Sequence, residues 1–319
     1  MIVKVGESKQ EVLRSGTYDS VSVIANCIAA ADNNRLTASD MDMSNINVKV
    51  LLKRGRNTEI LMNDNLKLLG TFNTILGGFD EFFNGVDIEA PGASTKHRQL
   101  RPVTLKFGSH VRVNAGDEIV CEIKVANSGA FGTDIDASDS FIEYYFNSSQ
   151  GYEAGIPEIV CEVVQANSTK QSFSLGAGVV DIAFLNFDKD GLKDQVINTA
   201  QLSSDRYDYG KSFNQLVALK IMNYGKNPAY RFGTSLPVTI ANQAIFRALD
   251  YYPQSLFLLE GGELDNTKLD ISFNGAQVAA SQNYVISRRV KSSKEIVAAA
   301  VNRANKHTKE NYEKLPATL

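Results

Sequence analysis

The chain has 319 residues, which exceeds the usual size of a single core and predicts two domains of roughly 150 residues each. Of its residues 43% are hydrophobic and 22% are charged, which is ordinary for a soluble globular protein. A formal net charge of −3 excludes a protein that binds nucleic acid over its whole surface. No stretch has 18 uncharged apolar residues and no apolar leader follows Met1, so we expect neither a membrane span nor a secretory signal.

Alternation of apolar and polar residues predicts strands throughout the first half of the chain. The first lies near residues 20–25. Two more, at 46–52 and 58–62, flank the turn-forming segment Arg54-Gly55-Arg56-Asn57, which predicts a hairpin. A helix is predicted from about residue 64 to 76, because leucines and a phenylalanine recur there at helical spacing and two glycines follow.

The strongest strand signal runs from Val103 to Asn127. Turn residues at Gly108-Ser109 and at 114–117 divide it into three predicted strands. In the third of these, Cys121 alternates with apolar residues, which predicts that this thiol packs in a core. A further strand closes this half of the chain, and the polar residues 147–151 are the best linker candidate.

The second half of the chain shows the same alternation of apolar and polar residues between turn residues. Strands are predicted near residues 158–166, 170–175, 178–187, 214–222, 255–260, 268–273 and 283–290. Many short strands separated by turn residues are typical of sandwiches and barrels. We therefore predict an all-β protein of two tandem jelly-roll β-barrels, a double jelly roll, at residues 1–150 and 151–290. A basic helix is predicted at 291–319, where turn residues vanish and an apolar stripe recurs at helical spacing.

Few residues suggest chemistry. His97, His110 and His307 are isolated from one another, so no histidine metal site or catalytic triad is expected. The three cysteines lack paired spacing, which argues against a disulfide framework and a zinc site. His110-Val111-Arg112 is similar to the start of the cupin metal motif, but Arg112 puts a fixed cation where a ligand is needed. We predict a protein without enzymatic activity or an organic cofactor.

One acidic cluster fits a calcium loop in part. Asn186, Asp188, Asp190, Gly191 and Asp194 occupy positions 1, 3, 5, 6 and 9 of such a loop. Position 12 requires a bidentate glutamate but holds an isoleucine, and the segment before the loop is a predicted strand rather than a helix. The cluster is therefore either a calcium site, with Asp188, Asp190 and Asp194 as ligands, or an Asp-rich turn.

The C-terminal end of the chain is basic. Eight cationic residues lie beyond residue 287: Arg288, Arg289, Lys291, Lys294, Arg303, Lys306, Lys309 and Lys314. With three glutamates they give residues 288–319 a charge of +5, while the remainder of the chain carries −8. Such asymmetry suggests an anionic partner, either membrane headgroups or a genome. The alternative is a solvated helix whose charges serve only solubility.

Two tandem β-barrels, an inserted helix, no active site and a basic terminal helix together resemble the double jelly-roll major capsid proteins of tailless, membrane-containing icosahedral bacteriophages. In length and strand pattern the chain is most similar to the major capsid protein of the flavobacterium-infecting lipid-containing phage. The resemblance covers nearly the whole chain as architecture, without a sharp motif.

The resemblance implies a protein of the virion capsid, assembled in the host cytoplasm as homotrimeric, pseudo-hexameric capsomers over an internal membrane. Its partners would be further copies of itself, neighbouring capsomers and minor capsid proteins. Through the C-terminal helix, they would also include the internal membrane or the genome.

Two other classes of protein fit the strand pattern. One is a two-domain β-sandwich adhesin or carbohydrate-binding protein, against which the lack of tryptophan and of a secretion signal both count. The other is a jelly-roll hydrolase, but no residue pattern in the sequence indicates a catalytic site for it. Oligomeric state separates these classes, because a capsid protein should sediment as a trimer or larger.

Overall fold

The structure is a computed structural model of the 319-residue chain. It describes residues 1–36, 42–77, 82, 85–186, 197–204, 207–212, 259–260, 267–273, 275 and 283–292. Within these residues the chain is mostly β-strand, with one α-helix of more than one turn. None of its helices there has both the length and the hydropathy needed to cross a bilayer.

The first barrel comprises nine strands and the helix, which form two antiparallel sheets. The elements are β1 (Ile2–Lys4), β2 (Ser8–Leu13), β3 (Gly16–Asp32), β4 (Ile46–Arg54), β5 (Asn57–Asn65), α1 (Leu66–Gly77), β6 (Val86–Glu89), β7 (Lys96–Val113), β8 (Asp117–Val125) and β9 (Phe141–Ser148). One sheet has the strand order β1-β9-β3-β7-β6, and the other has the order β2-β8-β4-β5.

The second barrel also consists of two antiparallel sheets. Its strands are β10 (Gly155–Val163), β11 (Lys170–Gly176), β12 (Val179–Asn186), β13 (Ile197–Ser204), β14 (Tyr207–Ser212), β15 (Leu259–Glu260), β16 (Thr267–Phe273) and β17 (Asn283–Ser292). One sheet has the order β10-β17-β12-β15, and the other has the order β11-β16-β13-β14.

The two barrels have the same connectivity. When the short edge strand β6 is set aside, the first, eighth, third and sixth strands of each barrel form one sheet. The second, seventh, fourth and fifth strands form the other sheet. Two four-stranded sheets linked by Greek-key connections make a jelly roll. The chain therefore contains two jelly rolls, as the sequence predicts.

Period-2 alternation explains which residues fill the first barrel. On β3, Val21, Val23 and Ala25 are completely buried, while Ile24 between them lies on the opposite face and is half-buried. Cys121 on β8 is completely buried as well, which confirms its predicted packing role. Inward-facing β-branched and small residues thus form the interior of the barrel.

The inserted helix begins and ends close to its predicted bounds. The side-chain oxygen of Asn65 accepts a hydrogen bond from the Leu68 amide at 2.9 Å, which caps the first turn. Leu66, Leu69 and Phe72 are completely buried, so the predicted apolar side of α1 packs against the barrel.

Two predicted boundaries are wrong. Gly108-Ser109 does not end a strand: β7 runs through it, with Gly108 at a φ of 91°. Glycine adopts this backbone conformation without steric cost. The pairing of β7 with β3 shifts register there, from Lys106 opposite Ser20 to Val111 opposite Tyr18. At the other boundary, Lys291 belongs to β17 and not to a helix, because it pairs with Ile156 of β10.

Candidate functional surfaces

The two barrels meet along a seam, which we define as the contact of the β10-β17-β12-β15 sheet with β5, α1 and β7. Ala183 and Leu185 of β12 and Ile286 of β17 are completely buried there, in the same apolar cluster as the core of the first barrel. The alternate residues, such as Phe184, belong to a separate cluster inside the second barrel. This sheet is therefore covered on both faces.

Charged and close contacts reinforce the seam. Lys291 Nζ lies 3.5 Å from a carboxylate oxygen of Glu59, and Arg54 donates a hydrogen bond of 2.7 Å to Glu153. A β-carbon added to Gly108 would lie 2.7 Å from Cδ of Arg288, closer than real β-carbons approach other atoms. A glycine is therefore required where β7 passes the second barrel.

The thiol of Cys161 also lies at the seam, beside Asp64. Burial raises its pKa well above the ordinary value, and the neighbouring carboxylate adds to the rise. Burial likewise raises the pKa of Cys27 to about 12, although the charge of Arg101 opposes the rise. Both thiols stay protonated at neutral pH, and a protonated thiol is a poor nucleophile.

Three of the eight predicted basic residues lie on β17, and each meets a carboxylate. Arg288 forms an ion pair with Asp181 of β12, in which Nε and Nη2 both contact Oδ2 of the carboxylate, Nε at 2.7 Å. Arg289 Nε lies 2.5 Å, and Lys291 Nζ 3.1 Å, from the same oxygen of Glu158 on β10. These cations stabilise the sheet, so counting Arg288, Arg289 and Lys291 among the residues of the basic terminal helix is wrong. The strand predicted at 283–290 holds the two arginines, and it extends through Lys291.

The other five cations, Lys294, Arg303, Lys306, Lys309 and Lys314, lie outside the described residues. With the three glutamates beyond Ser292, they give that segment a charge of +2. The charge excess left for an external partner is therefore smaller than the sequence suggests.

The predicted calcium ligands Asp188, Asp190 and Asp194 also lie outside the described residues. Asn186, the first position of the predicted loop, is the last residue of β12. In the part of the chain that the structure describes, no three histidine, cysteine or acidic side chains form a group that could hold a metal ion.

A buried polar network joins β6 to β7, and the sequence analysis missed it. His97 Nδ1 accepts a hydrogen bond from the Leu36 amide at 2.9 Å, so its Nε2 carries the proton and donates to Asp87 at 3.0 Å. Gln99 donates to the same Asp87 oxygen at 2.8 Å, and Arg101, 1% exposed, donates to Gln99 at 2.8 Å. The signal in the sequence was that three polar residues, His97, Gln99 and Arg101, occupy alternate positions of β7 and face inward like the apolar residues that follow them.

Asp87 is the anion at the centre of this network. Burial alone would raise its pKa, but hydrogen bonds from Gln99 and His97 and the charge of Arg35 outweigh burial and lower the pKa. These hydrogen bonds fix β6 and the chain near Leu36 to the barrel. We infer a structural role for it, because every polar contact of His97 is already made within the protein.

The β1-β9-β3-β7-β6 sheet differs from its counterpart in the second barrel, because none of the residues that the structure describes covers its outer face. We call this outer face the open face. It carries Tyr145, Val86 and Ile2, which are 48%, 43% and 42% exposed. A polar cleft of 560 Å³ lies at one end of it, where Lys96 forms a 2.5 Å ion pair with Asp136. Charged groups dominate that cleft, which is unlike the mostly apolar pockets that hold small organic ligands.

Comparison with known proteins identifies the fold. No protein-family model matches the sequence, and no curated protein sequence is significantly similar to it. The crystal structure of the major capsid protein (MCP) of STIV matches with a TM-score of 0.56 and 14% identity, over 90% of this chain and 92% of the other. A chain in the atomic structure of Sulfolobus Turreted Icosahedral Virus matches with a TM-score of 0.55 and 12% identity, over 90% and 86% of the two chains.

A weaker similarity, with a TM-score of 0.44 and 15% identity, is to the major capsid protein P2 from Bacteriophage PM2. It covers 91% of this chain and 94% of the other, but a score of that size does not establish a shared fold. The first two matches, together with the repeated connectivity, show that the chain has a double jelly-roll fold.

Proposed function

We propose that this protein is the major capsid protein of an icosahedral virus and has no catalytic role. The observation that carries the proposal is the pair of jelly rolls with identical connectivity in one chain, in the fold of the STIV MCP along 90% of the sequence. His97 and the thiols of Cys27 and Cys121 are buried in the first barrel, where they pack rather than face a ligand.

A trimer of two-barrel chains presents six similar units around one axis. Such a trimer occupies a position where a hexamer would fit, so it can tile a closed shell by symmetric contacts. We propose that this protein forms homotrimers of this kind, whose neighbours are other capsomers and minor capsid proteins. In this proposal residues 1–150 and 151–290 form the two barrels, with a separate segment beyond them.

The finer proposal is a capsid that encloses a membrane, as in the flavobacterium-infecting lipid-containing phage. The cations of the C-terminal segment would then face membrane headgroups or genome, since each lysine or arginine near an anionic bilayer contributes about 1 kcal/mol. Removing the residues beyond Ser292 should leave trimers folded and weaken binding to anionic vesicles or DNA at low salt. Equal binding by the truncated and full chains would leave that segment without this role.

Calcium binding at Asp188, Asp190 and Asp194 remains a proposal as well. It is tested by thermal unfolding of Asp188→Ala/Asp190→Ala with and without calcium. If calcium shifts the unfolding temperature of the variant as much as that of the wild type, the segment is an Asp-rich turn.

Mass in solution is the direct test of the capsid function. Light scattering at a concentration on the order of tens of micromolar should give a trimer or larger assembly, since specific interfaces of standard size are stable in that range. Electron micrographs under assembly conditions should show hexagonal capsomers. A monomer under every condition, with folding verified by circular dichroism, would overturn the proposal.

A further inference from the structure

A row of four apolar side chains crosses the outer face of the β2-β8-β4-β5 sheet in the first barrel. We call it the apolar row; from strand to strand, its paired residues are Val12, Val120, Leu51 and Ile60. None of them belongs to the apolar cluster inside the barrel. The two end residues, Val12 and Ile60, are 38% and 47% exposed, although a sheet face turned to water usually carries polar residues.

Polar residues border the apolar row on both sides. Toward the turn between β4 and β5, Glu118 forms ion pairs with Arg14 at 2.9 Å and with Lys53 at 3.6 Å. On the other side, Glu122 of β8 lies opposite Lys49 of β4. An apolar centre with a polar rim is the usual composition of a surface that packs against another protein segment.

The same face of the second barrel carries a polar row instead. Ser172, Asp270 and Gln201 are paired in that order across β11, β16 and β13. The Ser172 hydroxyl donates a hydrogen bond to the Asp270 carboxylate. The jelly-roll connectivity therefore does not require apolar residues on this face, and the apolar row is a property of the first barrel.

The described part of the chain ends close to one end of the apolar row. It ends at Ser292, the last residue of β17. The preceding Lys291 has its Nζ 3.5 Å from a carboxylate oxygen of Glu59, which is the neighbour of Ile60 on β5. Four further residues in extended conformation reach about 14 Å. A segment that follows Ser292 can therefore reach the apolar row at Ile60.

The segment beyond Ser292 has an apolar stripe of matching length. The sequence predicts a helix there, with the stripe at Ile296, Val297, Ala300, Val301 and Ala304. From its first to its last residue the stripe is about 12 Å long, at 1.5 Å per helical residue. Three strand spacings give the apolar row a length of about 14 Å. The side of this helix opposite the stripe carries Lys306 and Lys309.

We propose that residues 293–304 dock as a helix across the apolar row of the same chain, with Ile296 over Ile60 and Ala304 over Val12. The helix enters at β5, where the chain leaves β17, and it ends at β2. Lys306 and Lys309 then point away from the barrel, where an anionic partner can contact them. The contact is independent of the proposed capsid function, because both of its surfaces belong to one chain.

Trypsin digestion of the full chain tests the contact, because Arg303 is a cleavage site within the docked segment. Ile60→Asp places a carboxylate under the helix and should speed cleavage after Arg303 about tenfold, since proteolysis follows the population of the open form. Ile88→Asp is the matched control: Ile88 is 56% exposed but lies on β6 of the other sheet, so cleavage should keep the wild-type rate. Mass spectrometry identifies the cut, and circular dichroism verifies folding.

A second pair of variants tests the segment without altering the barrel. Ala300→Asp lies in the apolar stripe and should speed cleavage after Arg303 as Ile60→Asp does, whereas Ala298→Asp lies outside the stripe and should not. If Ile60→Asp fails to fold, this pair decides alone. Equal cleavage rates of Ile60→Asp and the wild type, or of Ala300→Asp and Ala298→Asp, would overturn the inference. Protection of Arg303 that disappears on dilution would overturn it as well, because the contact would then be with a second copy.

Discussion

The outer faces of the two large sheets show how one strand arrangement serves two purposes within a chain. On the second barrel this face is closed by the first barrel, and it combines small apolar residues such as Ala183 with the Arg288–Asp181 ion pair. On the first barrel it is open, with Ile24 and Leu100 half in water. Two sheets of identical connectivity therefore differ in which outer face is buried, because only the sheet of the second barrel packs against another barrel within the described residues.

The ion pair at the closed face should give the largest effect. The side chains of Arg288 and Asp181 are only 13% and 9% exposed, so Asp181→Ala leaves a nearly buried cation without its partner. Breaking a buried pair in this way costs about 3–5 kcal/mol of unfolding free energy. Denaturant titration measures this cost, and Asp181→Leu/Arg288→Met should recover most of it, because no uncompensated charge remains.

The control for that loss is a pair of the same chemistry in water. Arg14 and Glu118 lie 2.9 Å apart, with Arg14 78% exposed, and Arg14→Ala should cost about 1 kcal/mol or less. Equal losses for Asp181→Ala and Arg14→Ala would mean that the seam does not exclude water from the Asp181 pair.

Truncation of apolar residues compares the two faces directly. Leu185→Ala opens a cavity at the closed face and should cost about 2–5 kcal/mol. Ile24→Ala on the open face should cost about 1 kcal/mol in dilute monomer, because part of this side chain is already in water.

Gly108 tests how closely the barrels approach each other. Its φ of 91° strains any other residue by about 1–2 kcal/mol, and Gly116 supplies the control, with a φ of 89° and no atom within 4 Å of an added β-carbon. Gly116→Ala should therefore show the backbone strain alone. Gly108→Ala should cost more by the displacement of Arg288, which lies 2.7 Å from the added carbon. Equal unfolding free energies for the two variants would place Arg288 away from β7 in solution.

Much of the fold is predictable from local pattern. Strand alternation identified the interior residues of β3 and β8, and helical spacing followed by two glycines located α1 close to its bounds. The many short strands in two halves predicted the class of fold but not the order of strands in each sheet, since alternation states which side of a strand is buried and not which strand lies beside it.

The surfaces were less predictable, because they depend on partners distant in sequence. The charges of Arg288, Arg289 and Lys291 suggest an external anion until the strand pairing brings Asp181 and Glu158 beside them. Equally, nothing in the alternation of β12 distinguishes it from β3. The covered and open faces differ through contacts between strands that are distant in the sequence, such as β17 and β7.

The smallest of the predicted changes in stability should come from acid, which protonates Asp136 at the rim of the open face. The hydrogen bond from Lys96, with others from Ser138, lowers the pKa of Asp136 to about 2. An unfolded aspartate titrates near pH 3.9, so the carboxylate stabilises the fold above about pH 4, and this contribution disappears as the pH falls through about 2. Asp136→Asn should therefore lower the unfolding free energy at pH 6 and converge with the wild type near pH 2. Denaturant titrations from pH 6 to 2 measure this, with Asp134→Asn in the same loop as the control. A constant difference between Asp136→Asn and the wild type across that range would show that the ion pair with Lys96 does not form in solution.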